Sequence, residues 1–567
     1  MGLEFLLLWA TMALSLLYYY MAVIRRRRHR LSGSAGRLPP GPRPLPVVGN
    51  LFDLRGANLH HTLARHARAH GPVMCFEVVS ATRPPLVVVS SAAAAREAYT
   101  RHDRRFAARA VPDAARARGW AGRSVAWLPS ASPRWRAVRA VMAAHATSPR
   151  ALAAARGARE RKARDVVARL RASAGRPVRL RPLLYRCMLN LLSSSLFSVD
   201  VSAGDGGDSS QPGLAEDLHR VAEAIMKPNV SDVLPFLSAL DLQGRRRVLG
   251  RHIEKVFRTL DNIIDTRLAA MAITSPSSEQ NKHDGDGKDF LDTLLNLMSA
   301  GETTRDDVTN ILFEVFGAGG ETVATTVEWA MAELLRHPAT MAKARAEVAG
   351  ALGKKEIIEE SDAARLPYVQ AVLRESMRLH PVVPLLCHQV VDDGVDIAGY
   401  AVPKGSSFII NSWAVMRDPA VWDRPDEFRP ERFIVAEDDN AAVEAKHVAK
   451  DRYEFIPFGS GRRSCPGVPI VERVLPVILA SLLRAFEWRL PDGVSAEQLD
   501  VSERHVHKER PSSWGRRSCP GVPIVERAVF ERWLPDGVSV EQLDVTESFG
   551  TVTCMAASLQ AVPIILP

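Results

Sequence analysis

The stretch Phe458-Gly459-Ser460-Gly461-Arg462-Arg463-Ser464-Cys465-Pro466-Gly467 decides how the rest of the chain is read. Its glycines permit tight turns and close backbone approach. Turns of that kind leave backbone N–H groups free to point at the sulfur of Cys465 and tune its electron donation. Arg463, two residues before that sulfur, supplies a guanidinium for an anionic group. A helix starting after Gly467 brings its positive end to a thiolate. A bare Gly-x-Arg-x-Cys also occurs as a structural cysteine in a turn, so the loop needs support from elsewhere.

That support lies upstream. Glu375-Ser376-Met377-Arg378 falls in a run of helix formers, where Glu and Arg at i, i+3 share a face and pair. Phe428-Arg429-Pro430-Glu431-Arg432-Phe433 adds Arg432. Ala318-Gly319-Gly320-Glu321-Thr322 sits inside a long apolar helix predicted from about Thr304 to Arg336. Two glycines in mid-helix cost roughly 1 kcal/mol each against Ala. They mark either a close-packing site between helices or a local widening that admits O2 and water. An acid and a hydroxyl in an apolar stretch are expensive unless used or satisfied, which makes Glu321 and Thr322 candidates for proton transfer. Trp135 and Arg139 lie one turn apart in a basic amphipathic run, and His388 lies in Leu386-Cys387-His388-Gln389. Each of these three has an ordinary structural reading as well.

Taken as a set, the motifs resemble one family. Phe458-x-x-Gly461-x-Arg463-x-Cys465-x-Gly467 resembles the haem-binding loop of the cytochrome P450 monooxygenases, whose Cys thiolate ligates the haem iron. Glu375, Arg378 and Arg432 are similar to that family's buried Glu–Arg–Arg triad. Glu321-Thr322 resembles its oxygen-activation groove, although Val323 stands where many members carry Thr or Ser. Trp135-x-x-x-Arg139 resembles the pair that holds a haem propionate, with Arg463 and His388 as further contacts. The resemblance runs from the N-terminal stretch to Pro567. Glu328–Leu334 and Gly399–Gly405 are similar to plant microsomal members of the terpenoid-hydroxylase group, which includes geraniol hydroxylases.

The resemblance implies a mainly α fold with small β-sheets and a haem ligated by Cys465. It implies hydroxylation of a small lipophilic substrate, with terpenoids the nearest class. O2 is the oxidant, and electrons come from NADPH through a separate flavoprotein reductase. An isomerase or dehydratase of the same fold, working without a reductase, is the alternative. Those relatives tend to lose the acid–Thr pair that stands here as Glu321-Thr322.

Composition agrees with a globular enzyme. The chain has 567 residues, 46% hydrophobic and 24% charged. Its net charge is +10, but Arg25, Arg26, Arg27, Arg28 and Arg30 sit together. The remainder is only mildly basic, so no nucleic-acid partner is expected. Arg134, Arg136 and Arg462 form either a basic docking face for an acidic reductase or a merely solvated one. The cysteines, Cys75, Cys187, Cys387, Cys465, Cys519 and Cys554, are scattered, with no C-x-x-C spacing. That favours a reducing compartment.

Phe5 to Ile24 carry no charge, and at ~1.5 Å per residue the stretch matches the roughly 30 Å hydrocarbon core of a bilayer. Tyr18, Tyr19 and Tyr20 suit the interface, and the arginine cluster that follows stays cytosolic. A cleaved signal peptide fits less well: Glu4 precedes the apolar run with no Lys or Arg, and the basic cluster follows it. The expected organisation is a membrane anchor over residues 1–30, a Pro-rich hinge over 31–50 and a haem-thiolate catalytic domain over 51–567. The protein would be single-pass in the endoplasmic reticulum membrane, in contact with its lipid, with a cytosolic body. Leu38-Pro39-Pro40-Gly41-Pro42-Arg43-Pro44 reads as a stiff hinge or as an ordinary linker.

An internal repeat supplies a second candidate thiolate. Gly461–Arg473 recurs residue for residue as Gly515–Arg527, and Leu490–Glu503 recurs with two changes as Leu534–Glu547. Ser512 stands where the first copy has Phe458, and Glu526, Arg527, Glu531 and Arg532 charge the helix that would follow Cys519. Cys465 is therefore the expected ligand. Residues 504–547 read as an inserted partial duplication of 461–503, exposed and poorly packed. Its removal joins Glu503 to Ser548. A non-catalytic product of a disrupted gene is the corresponding alternative. Elsewhere, Val78–Val79 and Leu86–Val89 read as strands and Ala92–Arg171 as helix-rich. The Gly/Ser/Asp-rich segments Ser202–Gly213 and Ser275–Asp289 read as loops.

Overall fold

The structure, a computed structural model, describes Thr11, Ser15 and residues 36–505 and 553–566, apart from 46–47, 56–57, 79–83, 202–212, 228, 274–288, 354, 435–452, 492–493, 497–498, 500–502 and 556–557. The longer helices are α1 (Leu59–His70), α2 (Pro133–His145), α3 (Arg156–Ala172), α4 (Leu180–Phe197), α5 (Leu214–Met226), α6 (Arg245–Ile273), α7 (Phe290–Ser299), α8 (Arg305–Arg336), α9 (Pro338–Leu352), α10 (Pro367–Leu379) and α11 (Val468–Ala485).

Helix α8 is the axis of the molecule. Thr304 caps it: its hydroxyl accepts from the Asp307 N–H, and the Asp307 carboxylate accepts from the Thr304 N–H. Apolar side chains surround its C-terminal half, where Trp329 is 1% exposed. Helices α3, α4, α10 and α11 close one core against that half. Helices α4 to α7 close a second core against its N-terminal half. Because α8 is buried on most sides, it reads as apolar nearly all round rather than as a stripe.

The sheets are small, as expected. β1 (Val73–Phe76) and β2 (Leu86–Val89) are antiparallel, and β2 runs parallel to a later strand, Ser407–Asn411. Counting β3 (Val178–Arg179), β4 (Leu385–Gln389), β5 (Val395–Ile397) and β6 (Tyr400–Val402) makes that strand β7, and the sheet order is β1-β2-β7-β4. All four residues of β2 are buried, which explains its unbroken Leu-Val-Val-Val run. Three further strands, β8 (Phe486–Arg489), β9 (Glu503–His505) and β10 (Thr553–Met555), precede β11 (Gln560–Ile565). β11 lies between β3 and β8, and β9 pairs with β10.

Several expectations shift. The strand before Pro84-Pro85 lies at Val73–Phe76; of the expected Val78–Val79 strand, Val78 is a bend and Val79 lies outside the described residues. The helix-rich run from Ala92 is interrupted between Ala107 and Ser132, where Arg118 and Gly119 take φ of 50° and 70°. The Pro-rich segment is docked where it is described. Pro40 O accepts from Cys75 N–H at 2.8 Å, Pro39 O accepts from Cys75 Sγ at 3.0 Å, and Arg37 O accepts from Ala401 N–H at 2.9 Å. These contacts strap the described part of the Pro-rich segment along β1 and beside β6.

Among the described residues no helix is long and apolar enough to cross a membrane. The Phe5–Ile24 stretch lies outside them, apart from Thr11 and Ser15. So do the arginine cluster, nearly all of Ser202–Gly213 and Ser275–Asp289, and the second repeat copy with Cys519.

Candidate active site: a thiolate loop facing an open interior

The loop before α11 turns where the glycines allow it. Gly459 and Gly461 have φ of 67° and 62°, values that side chains rarely adopt. Cys465 N–H then donates to Phe458 O at 3.0 Å, closing the loop on the aromatic residue that the second copy lacks. The expected helix follows as α11, and Gly467 N–H points at the Cys465 sulfur at 3.4 Å. Burial pushes the Cys465 thiol up, while the Gly467 N–H, Arg139, the Val468 N–H and Arg109 pull it back down. By surface area, however, Cys465 is exposed, as is Cys387 on β4, whose thiol burial also pushes up. Both observations hold for sulfurs that face an open interior space ringed by protein. Gly317 and Ala318 are likewise exposed in the middle of α8, and a Cβ at Gly317 would touch nothing within 4 Å.

Guanidinium groups crowd the same place. Arg139 on α2 donates to Ser464 O at 3.1 Å, next to the cysteine. Arg463 is pushed down to about 10, first by burial and then by Arg109 and Arg139. His388 is pushed down to about 3 by burial, then by Arg109 and Arg463, so it is neutral. Arg109 lies within electrostatic reach of Cys465, Cys387, His388, Arg463 and Glu314. The sequence reading missed it because no motif surrounds it. Clustered cations beside an open space suit a ligand with more than one carboxylate.

Two expected contacts differ in detail. The Trp135 indole N–H donates to Val125 O at 3.1 Å. Arg463 donates to Ala107 O at 2.6 Å, Val125 O at 3.0 Å and Leu128 O at 2.5 Å. Both therefore hold the backbone between Ala107 and Leu128, and Arg463 also stacks on Trp135 at 5.0 Å. Of the proposed basic docking face, Arg134 is paired with Asp307 at 2.6 Å and Arg462 with Asp103 at 3.5 Å. Arg136 is exposed.

On α8 the two readings of the glycine pair separate. A Cβ at Gly319 would lie 2.5 Å from Leu192 Cδ1, and one at Gly320 would lie 2.9 Å from the Tyr185 ring and from Leu189 Cδ2. The pair lets α8 and α4 approach closely. The helix is unbroken from Arg305 to Arg336. Thr322, half-buried, donates its Oγ1 to the O of the exposed Ala318 at 2.8 Å. Burial raises Tyr185, Cys554 and Glu328, and the nearby Glu321 carboxylate adds to each. Thr322 thus keeps to the turn of the open Ala318, while Glu321 faces α4 and the C-terminal strand. Neighbouring residues on a helix do not face each other.

The triad forms as expected. Arg378 Nε and Nη2 meet the Glu375 carboxylate at 2.7 and 2.9 Å, and Arg432 Nε reaches it at 3.2 Å. Arg378 also donates to the carbonyls of Met416, Pro425 and Glu427.

Comparison with known proteins decides the family. The Cytochrome P450 family matches residues 39–515. The chain belongs to the cytochrome P450 family. It is 55% identical to rice cytochrome P450 76M5 over 88% of this chain and 95% of that protein. It is 52% identical to rice oryzalexin E synthase, covering 88% and 94%, and 50% identical to rice ent-cassadiene C11-alpha-hydroxylase 1, covering 88% and 95%. As a cytochrome P450 it is a monooxygenase with haem as cofactor. The residues present fit that group: one sulfur with backbone N–H support, an open interior face and a cluster of guanidinium groups.

Proposed function

We propose that this cytochrome P450 hydroxylates a terpenoid, with hydrocarbons of the ent-cassadiene type as the first candidates. NADPH-derived electrons arrive from a separate flavoprotein reductase. What supports this reading above all is the identity to ent-cassadiene C11-alpha-hydroxylase 1 over nearly the whole of that protein. The haem, when bound, supplies the oxygen chemistry, with the thiolate favouring O–O cleavage. Cys465 would ligate the iron, and Arg109, Arg139, Arg463 and His388 would surround the propionates, with Trp135 holding Arg463 from beneath. Thr322 holds a hydroxyl one turn from the exposed Ala318 of α8, and Glu321, which faces α4, would supply protons to it only through water. Residues 51–567 form the catalytic body. Phe5–Ile24 anchors it in the endoplasmic reticulum membrane, on the cytosolic side, through the docked hinge. Phe236 and Leu240, 74% and 62% exposed, add apolar side chains suited to lipid.

The repeat does not break this body. His505 and Thr553 are direct partners across the β9–β10 pair, so Arg504 and His505, the first two residues of the expected 504–547 insertion, lie in the sheet, and the chain leaves after them and returns at the same place. An insertion between paired strands costs little, because loop-closure entropy grows slowly with length. The test is conversion of ent-cassadiene by the full chain and by a chain lacking residues 506–547, which keeps β9 whole, each with reductase. Both are expected to give a hydroxylated product that requires NADPH, at comparable rates. Turnover without NADPH points instead to an isomerase or dehydratase. A shortened chain that does not fold shows that the repeat is part of the body.

A further inference from the structure

We propose that Asp103 is a positioning residue for the thiolate loop, and that Tyr99, Asp103 and Ala107 form a clamp that holds it. The inference rests on the assignment of Cys465 as the iron ligand. These three residues are spaced four apart, and each meets the loop. Tyr99 sets its ring against Gly461 of the loop. Asp103 Oδ1 and Oδ2 accept from the Arg462 N–H at 3.0 and 3.3 Å. Ala107 O accepts from Arg463 Nε at 2.6 Å. Their targets are the residues immediately before Ser464 and Cys465.

The approach is close enough to dictate sequence on the loop side. A Cβ at Gly461 would lie 2.2 Å from Asp103 Oδ1 and 3.1 Å from the Tyr99 ring. Gly461 is thus required for its φ of 62° and also to let the carboxylate reach the next N–H. The clamp is itself fixed. Tyr99 is 5% exposed, stacks on Tyr453 at 5.9 Å, and its hydroxyl lies 3.4 Å from His388 Nε2. One short segment therefore ties the thiolate loop to the histidine beside the guanidinium cluster. A carboxylate accepting from a backbone N–H makes a charge-assisted bond, stronger than a neutral one.

The test compares the full-length holoprotein with Asp103→Ala, Asp103→Asn and, as reference, Cys465→Ser. Two quantities are read: the rate of haem loss to excess apoglobin, and the share of the reduced, CO-treated spectrum that is of thiolate type. Far-UV circular dichroism identifies chains that have folded. Asp103→Ala is expected to lose haem about tenfold faster, the factor that ~1.4 kcal/mol of lost hydrogen bonding gives, and to shift part of its spectrum away from the thiolate type. Asp103→Asn keeps an oxygen for the Arg462 N–H and is expected to fall between. A folded Asp103→Ala with parental haem loss and spectrum overturns the proposal while leaving the ligand intact. A thiolate-type band that survives in Cys465→Ser overturns the ligand assignment instead.

Discussion

Glu375→Gln is expected to cost the folded chain about 3–5 kcal/mol, the range for removing one partner of a buried ion pair. Glu375 and Arg378 are both 0% exposed. The Glu375 carboxylate meets Arg378 in a bidentate pair, accepts from Arg432, and takes the Arg429 N–H at 2.8 Å. Glutamine keeps the volume and one acceptor oxygen, so the loss reports charge rather than a cavity. It leaves two guanidinium groups without their shared anion, one of them sealed from solvent. A domain stable by about 5–15 kcal/mol loses a large fraction of that margin. The damage also spreads toward the site, because Arg378 and Arg432 together hold the carbonyls of Met416, Asp423, Arg424, Pro425 and Glu427, a segment upstream of the thiolate loop. Denaturant unfolding followed by circular dichroism measures the change. A loss below about 1 kcal/mol, the scale of an exposed pair, contradicts the buried network.

Thr322→Val is expected to leave the fold and NADPH consumption nearly unchanged while lowering hydroxylated product about 100-fold, the lower end of a general-acid contribution. Valine matches threonine in shape, and the helix hydrogen bonds do not depend on the hydroxyl. What disappears is the half-buried Oγ1 that donates to the O of Ala318, the exposed residue one turn earlier on α8. Electrons continue to arrive, but without a proton held there they leave as reduced oxygen rather than as product. Product and NADPH measured in the same reaction give the coupling ratio. An unchanged ratio removes Thr322 from the proton path.

How much was legible beforehand depended on how local each feature is. The thiolate loop could be read because one sulfur needs positive-φ turns and backbone N–H groups around it, and only a few residue types satisfy that. Glu375 and Arg378 pair within a single helical turn, so spacing alone brought them together. The start of α8 could be read because Thr304 and Asp307 satisfy each other's backbone. Asp103 and Arg462 meet across most of the chain, and nothing near either position in sequence announces the other. Arg109 belongs to the guanidinium cluster for the same tertiary reason. Trp135 and Arg463 were found as residues, but their hydrogen bonds go to backbone carbonyls that no motif encodes. The glycines at 319 and 320 could serve a widening or a close crossing. Only the positions of Leu192 and Tyr185 on α4 decided between them.

The central claim is that Cys465, and not its duplicate Cys519, holds the haem iron. The most direct measurement is the reduced, CO-treated difference spectrum of the full-length chain beside Cys465→Ser and Cys519→Ser. The parent and Cys519→Ser are predicted to show the thiolate-type Soret band, and Cys465→Ser is predicted to lack it. A band that persists in Cys465→Ser, or that is missing from well-folded parent protein, contradicts the account.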